Sequence, residues 1–248
     1  MPDLRTTTMP AMGTGMNEAF GAAALYRMLA WLSPGFPIGA FSYSHGLEAA
    51  VQSGSVRDRG TLEGWIGAIL THGAGRMDTD TCRDAHRAAS ALDLKALTAA
   101  NRRGLAFRAT SEMVLEATAQ GEAFLATCRA AWPEPFLEAW AELLKQDEEV
   151  PCLAAAVGSA TARAEGPLEM ALTGYLYAMG ANLVSAGLRL GIVGQTDGQR
   201  IIAALEPVIA NAVADGMTRD PACFGSVTIA VDLGSMAHET QYSRLFRS

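Results

Sequence analysis

Apolar residues recur at intervals of three and four along most of the chain, and alternation at every second residue is scarce. This spacing places apolar side chains on one face of a helix, so the pattern predicts an all-α fold. It predicts a single-domain bundle of about ten helices, at residues 18–32, 43–52, 60–74, 78–91, 93–102, 110–130, 134–147, 151–163, 167–190 and 197–214.

Several predicted helix starts carry residues typical of helix caps. Asp93 precedes its helix, where its carboxylate can accept a backbone N–H. Thr196 and Gln199 have the spacing of a capping box. Pro207 falls inside the last long helix, and it predicts a kink or a helix boundary there because it lacks an N–H.

The two ends of the chain differ from the helical middle. Residues 1–17 are rich in Thr, Met, Gly and Pro, which predicts a disordered N-terminus ahead of a domain at 18–231. Residues 227–231 form a β-like run without an obvious pairing strand, so an extended segment is expected there. A short helix near 234–242 should follow, within an extended C-terminal tail at 232–248 that belongs to the same domain.

Composition and charge narrow the class of partner. Half of the residues are hydrophobic and 18% are charged, below the usual quarter. This balance indicates extensive burial, both in a core and against partners. The formal charge is 19 − 26 = −7. An acidic chain repels phosphate backbones, so no nucleic-acid partner is expected.

Cysteine usage and hydropathy predict a cytoplasmic protein. The four cysteines are scattered without a CxxC motif, which is typical of reduced thiols, and no export signal is evident. Residues 170–188 carry no charge and approach the length of a membrane span. Thr173, Asn182 and Ser185 interrupt that stretch, so we interpret it as a helix buried on all sides in a soluble bundle, with no membrane.

Two segments are candidates for a cofactor or metal site. GIVGQTDGQR at 191–200 lacks the GxxxxGK[ST] spacing of a phosphate-binding loop, and we interpret it as a turn between helices. Cys82 and His86 are four residues apart on one helix face, beside Asp78, Asp80 and Asp84. Two ligands make half a metal site. We interpret this face as solvated and acidic, and expect neither a metal site nor a cofactor.

The stretch LSPGFPIGAFSYSHGLE at 32–48 brings a serine, a histidine and a glutamate close together in sequence. Catalytic triads are assembled by geometry rather than by adjacency, and the chain has no GxSxG turn. We therefore interpret Ser42 or Ser44 as the N-cap of the next helix. No catalytic residues are expected.

The C-terminal residues YSRLFRS combine arginines, aromatics and a leucine. Arg, Tyr and Phe are enriched at protein–protein interfaces, so the tail is a candidate partner-binding surface. The alternative is a tail that docks on its own core.

Three separated motifs carry a family resemblance. FPIGAFSYSHGLE at 36–48, VSAGLRLGIVGQTDGQRIIAAL at 184–205 and SMAHETQYSRLFRS at 235–248 resemble signatures of the UreF family of urease accessory proteins, in the same order. The resemblance covers residues 22–248. It implies an all-α homodimer without enzymatic activity, which bridges a UreD/UreH-type scaffold and the UreG GTPase while nickel is delivered to the urease apoprotein.

The resemblance also implies which residues contact partners. Phe41 and Arg244 should lie near the UreG-facing surface, and the tail at 232–248 should bind the scaffold, ordering on binding. The full set of expected partner-binding residues is Phe36, Phe41, Ser42, Tyr43, His238, Glu239, Gln241, Tyr242, Arg244, Leu245 and Phe246.

Two alternatives remain open at this point. An all-α enzyme acting at 36–48 would need a deep pocket with polar groups converging near His45 and Glu48. A nickel-binding metallochaperone would need His and Cys side chains gathered in space, with Cys82 and His86 among them.

Overall fold

The computed structural model describes residues 21–248, which fold as a single all-α domain without a strand in that range. Two 3₁₀ turns, Ala40–Ser42 and Pro221–Cys223, join helices. The predicted all-α fold is confirmed. The predicted N-terminal disorder at 1–17, and residues 18–20 of the first predicted helix, lie outside the described residues.

The helices are α1 (Ala22–Trp31), α2 (Leu47–Gln52), α3 (Arg59–His72), α4 (Ala74–Ser90), α5 (Leu94–Ala106), α6 (Ser111–Ala131), α7 (Pro135–Gln146), α8 (Leu153–Arg163), α9 (Leu168–Arg189), α10 (Gln195–Thr218) and α11 (Ile229–Glu239).

Most helix bounds lie within a few residues of the prediction, but two helices are longer. The fourth helix begins at Ala74 instead of residue 78, and α10 continues to Thr218. Pro207 lies inside α10 and does not end it.

Of the two caps predicted for α5 and α10, one is present. The Asp93 carboxylate accepts the Ala96 N–H at 2.9 Å, which confirms the cap of α5. The capping box at Thr196 and Gln199 is wrong, because α10 already begins at Gln195 and has no side-chain cap.

The extended segment predicted at 227–231 is also wrong in part, because α11 begins at Ile229. Helix formation lets this segment bury Val231, Ser235 and His238 on one face, against α2 and α6. Packing of that face outweighs the strand preference of β-branched residues. Before the helix, the Val227 N–H donates to the carbonyl oxygen of His72 at 2.8 Å.

The centre of the domain is the contact between α4 and α8. Helix α8 reads LAAAVGSATAR, and every residue from Ala154 to Ala162 is buried. A Cβ atom at Gly158 would overlap the carbonyl oxygen of Cys82 on α4. Small side chains therefore bring the two backbones into direct contact, as only glycine and alanine permit.

Helix α4 differs most from the sequence-based prediction. Its predicted solvated acidic face is instead a set of buried ion pairs, since Asp78 and Asp80 are both buried. Asp78 pairs with Arg108 and accepts the Tyr175 hydroxyl at 2.9 Å. Asp80 lies 3.0 Å from Nη1 of Arg83. Buried carboxylates of this kind require such partners, which the helix-face pattern alone does not reveal.

Two helices, α9 and α10, are apolar enough to be compared with membrane-spanning helices. The uncharged stretch 170–188 lies in α9, and the prediction that it is buried on all sides is wrong, because Met170 and Tyr177 are about half exposed. Among residues 21–248, only α10 is long and apolar enough to cross a membrane by length and composition. That helix packs against α3, α4 and α9, which accounts for its apolar face.

Matched glycine substitutions should test the contact between α4 and α8. Gly158→Ala should lower the free energy of unfolding by about 1–3 kcal/mol, because the new methyl group collides with the α4 backbone. Gly64→Ala in α3 is the control, since its Cβ would meet no atom within 4 Å. That change should raise stability by about 0.5–1 kcal/mol. Urea unfolding followed by circular dichroism measures both, and equal effects of the two substitutions would contradict the close contact.

Candidate partner-binding site

The loop between α1 and α2 is shaped by two glycines in the left-handed region, Gly39 at φ 69° and Gly46 at φ 76°. A Cβ at Gly46 would lie 2.9 Å from the backbone nitrogen of Ser235, so α11 touches the loop at this point. Ser44 Oγ accepts the Glu48 N–H at 3.3 Å, although α2 itself begins at Leu47 with Gly46 at its N-cap. The expected capping role therefore applies to Ser44 only in part, and not to Ser42.

The C-terminal tail docks on this loop. The Arg247 N–H donates to the Ser42 carbonyl oxygen, and the Ser44 N–H donates to that of Ser248, both at 2.8 Å. The two segments that stand out in the sequence are thus hydrogen-bonded to each other. The tail docks on its own core, which was the alternative left open.

Glu48 is the main acceptor for the tail. Its carboxylate accepts the backbone N–H groups of Leu245 at 2.7 Å and of Phe246 at 2.9 Å. The Phe246 side chain is buried next to it. A carboxylate that accepts backbone N–H groups forms charge-assisted hydrogen bonds, which are stronger than neutral ones.

His238 on α11 is fully buried and connects the same region to α6. Its Nε2 lies 3.1 Å from a Glu48 oxygen, and its Nδ1 lies 2.9 Å from a Glu112 oxygen. The other Glu112 oxygen accepts a hydrogen bond from Nη1 of Arg244 at 2.9 Å. We call these four residues, Glu48, Glu112, His238 and Arg244, the His238 cluster.

A second polar set lies beside the cluster. His45 Nδ1 is 3.2 Å from a Glu116 oxygen, which also accepts the Ser248 hydroxyl at 3.1 Å. Burial favours the neutral form of Glu116, but the His45 charge and the hydrogen bonds from His45 and Ser248 outweigh it and lower the pKa of this carboxyl. Burial raises the pKa of Asp232 on α11, although His45 opposes that shift.

The outer face of α11 is apolar and exposed. Ile229, Leu233 and Met236 are spaced by four and three residues, and their exposed fractions are 67%, 59% and 48%. Leu245 of the docked tail is also exposed. We call Ile229, Leu233 and Met236 the α11 stripe. The β-like run at 227–231 predicts an extended segment and so conceals this stripe, although the helical spacing is present in IAVDLGSMAHE.

Comparison with known proteins decides the family. The UreF family model matches residues 56–206. A urease accessory protein UreF from Methylobacterium sp. (strain 4-46) is 45% identical over 221 residues, which are 89% of this chain and 87% of that protein. Another from Rhodopseudomonas palustris (strain HaA2) is 42% identical over 240 residues, 97% of this chain and all of that protein.

The chain belongs to the UreF family of urease accessory proteins. The resemblance seen in the three sequence motifs is confirmed. The family model ends at residue 206, whereas the relatives extend the similarity over most of the chain.

In this UreF-family fold, the residues expected to contact partners fall into three groups by their burial. Phe36, Tyr43, His238 and Phe246 are buried within the chain, so their side chains are not offered to a partner in this conformation. The side chains of Ser42 and Gln241 are half-buried. The exposed group is Phe41, Glu239, Tyr242, Arg244 and Leu245.

The requirement of the enzyme alternative is met only in part. A cavity of about 250 Å³ lies beneath the loop and is lined by His45, Glu116, Asp78 and Arg108 among mostly apolar side chains. Its charged groups already pair with each other, as Asp78 does with Arg108 and Glu116 with His45. Glu48 does not line the cavity, because its carboxylate holds the tail.

The metallochaperone alternative requires Cys82 and His86 to gather with other ligands, and the structure does not bring such a set together within residues 21–248. Cys82 is fully buried, and burial raises the pKa of its thiol. His86 Nε2 lies 2.8 Å from the carbonyl oxygen of Gly166, and burial lowers the pKa of this imidazole. Across residues 21–248, no three His, Cys, Asp or Glu side chains gather in a way that could hold a metal ion.

Cysteine labelling should report this burial. Burial raises the pKa of Cys128 to about 12 and that of Cys152 to about 11, whereas Cys223 is exposed. The thiolate is the reactive form. Native protein treated with N-ethylmaleimide should therefore gain one adduct, at Cys223, by intact mass. The urea-unfolded chain should gain four, one for each cysteine. Rapid labelling of Cys82 in the native state would contradict the structure.

Proposed function

We propose that the chain is a non-enzymatic adaptor of urease maturation, which bridges a UreD/UreH-type scaffold and the UreG GTPase while nickel is delivered to the urease apoprotein. Its relatives carry the name urease accessory protein, which supports an accessory role. In this proposal the chain works as a homodimer in the cytoplasm and passes nickel on.

The observation that carries the proposal is the α11 stripe. Surface helices normally bury their apolar face, but Ile229, Leu233 and Met236 point away from the core while the opposite face of α11 is fixed by Val231, Ser235 and His238. An apolar stripe on a fixed helix is suited to a partner with a complementary apolar groove. We assign this surface to the scaffold.

The exposed aromatic and cationic residues near the loop supply a second contact. Phe41 is 69% exposed, and its carbonyl oxygen accepts a hydrogen bond from Arg189. Arg244 is 39% exposed on its side chain. Rigid aromatics and arginines are typical anchors of protein interfaces. We assign Phe41 and Arg244 to the surface that UreG contacts.

A point substitution tests the scaffold surface better than removal of the tail. Deletion of 232–248 would also remove His238, Ser235 and Phe246 from the core. Leu233→Glu should instead abolish capture of the purified UreD-type scaffold, because it places a charge in the apolar stripe. Leu29→Glu in α1 is the matched control, at 65% exposure against 59% for Leu233, and should bind as the wild type does.

Two results of this pull-down would count against the proposal. Binding that survives Leu233→Glu would move the scaffold surface away from α11. Absence of binding by the wild-type chain would contradict the adaptor role itself.

Arg244→Ala should lower urease activation several-fold in cells that express the urease operon. The change removes an exposed cation from the surface assigned to UreG. The fold should persist, because the Arg244 side chain is 39% exposed, so that water can take its place beside Glu112, and Glu112 keeps its contact with His238. Circular dichroism and gel filtration check that fold and assembly are unchanged. Normal activation by a folded Arg244→Ala variant would refute the assignment.

A further inference from the structure

The His238 ring has carboxylates at both of its nitrogens. Nε2 faces Glu48 at 3.1 Å and Nδ1 faces Glu112 at 2.9 Å. A neutral imidazole has only one N–H, and its other nitrogen presents a lone pair. A lone pair set against an ionised carboxylate is repulsive, so the arrangement requires a proton on each ring nitrogen.

The neighbours of the two carboxylates support their ionised form. Glu48 accepts two backbone N–H groups, from Leu245 and Phe246, in addition to the ring. Glu112 accepts Arg244 in addition to the ring. With a doubly protonated His238, the cluster holds two negative and two positive charges. It is therefore neutral, as a buried cluster must be to avoid a large desolvation cost.

The groups that face His238 come from every element packed around it. Glu48 lies on α2, Glu112 on α6 and Arg244 in the tail. The adjacent titratable groups are His45 in the loop, Glu116 on α6 and Asp232 on α11. No further cation among the described residues hydrogen-bonds to Glu48, so His238 alone compensates that carboxylate within hydrogen-bonding distance.

We propose that His238, with a proton on each ring nitrogen, is the positioning residue that holds Glu48 in place to dock residues 240–248, so that the conformation of the tail follows the protonation of this ring. The functional meaning rests on the adaptor function proposed above: the ring would control how Tyr242, Arg244 and Leu245 are presented to partners. Docking of the tail through Glu48 and His238 requires no partner.

The charge of the His238 cluster determines how deprotonation of the ring changes docking of the tail. Loss of one ring proton leaves the cluster with an extra negative charge, and one carboxylate then faces a lone pair. A histidine that gains carboxylate partners on folding stabilises the folded state at low pH, and this contribution is lost as pH rises. The tail is therefore docked while both ring nitrogens of His238 carry a proton, and it is released when one of these protons is lost.

The first experiment measures the ring directly in the isolated full chain. Selective ¹⁵N labelling of histidine gives ring-nitrogen NMR signals for four residues, His45, His72, His86 and His238. The signals that disappear in the His238→Gln variant belong to His238. At about pH 7.5, both nitrogens of the His238 ring should carry a proton, because each of them faces a carboxylate. A neutral His238 tautomer at this pH overturns the proposal.

The second experiment measures the tail. Amide hydrogen exchange at Leu245 and Phe246, corrected for intrinsic rates, should lose at least about tenfold in protection between roughly pH 6 and pH 9. His238→Gln should show low protection at every pH, and Glu48→Gln should behave in the same way. His72→Gln is the control and should keep the wild-type profile.

The outcomes separate this proposal from the adaptor role. Protection of Leu245 and Phe246 that is independent of pH in the wild type, or a wild-type profile in His238→Gln, overturns it. Retained protection in α4 and α8 shows that a variant is folded. Neither measurement involves the scaffold or UreG, so a failed pull-down leaves this result standing, and the reverse holds as well.

Discussion

The direct contact between the backbones of α4 and α8 is the constraint on which the rest of this fold depends. Gly158 leaves room for the Cys82 carbonyl, and the alanines around it keep α8 narrow along its whole length. A narrow central helix lets α4, α6 and α9 all pack around it. Helix α6 makes a similar backbone contact just before α8, because a Cβ at Gly121 would overlap the carbonyl oxygen of Pro151. Packing at this distance yields dense van der Waals contact from small side chains.

The close packing of α4 forces its polar residues to find partners inside the protein. Asp78 contacts Arg108 and Tyr175, which brings the loop between α5 and α6 and the first half of α9 to the same point. Burial raises the pKa of Asp80, although Arg219 and Arg83 oppose that shift. Such pairs are costly to break, because removal of one partner leaves an uncompensated buried charge. They fix how the outer helices are arranged around the centre, and through them the position of the loop and tail.

Much of the helical architecture could be predicted from local spacing, because the helical period and the caps act over a few residues. The contacts that build the candidate site act over long distances in sequence. His238 is 190 residues from Glu48 and 126 from Glu112, so no local pattern could pair them. The same limit explains the buried Asp78, which reads as a surface residue beside other acidic residues. The run at 227–231 reads as an extended segment because its helix depends on the face it buries.

The hydrogen bonds between the loop at 32–48 and the tail also bear on the order in which the protein is made. Ribosomes synthesise the chain from its N-terminus, so α2 and Glu48 are complete long before residues 238–248 exist. During that interval the Glu48 and Glu112 carboxylates lack His238 and Arg244, and their positions stay open to water. Contacts between distant segments also form late in folding, since loop closure must precede them. The exposed apolar face of α11 is therefore completed last, after the helices α2 and α6 against which α11 packs.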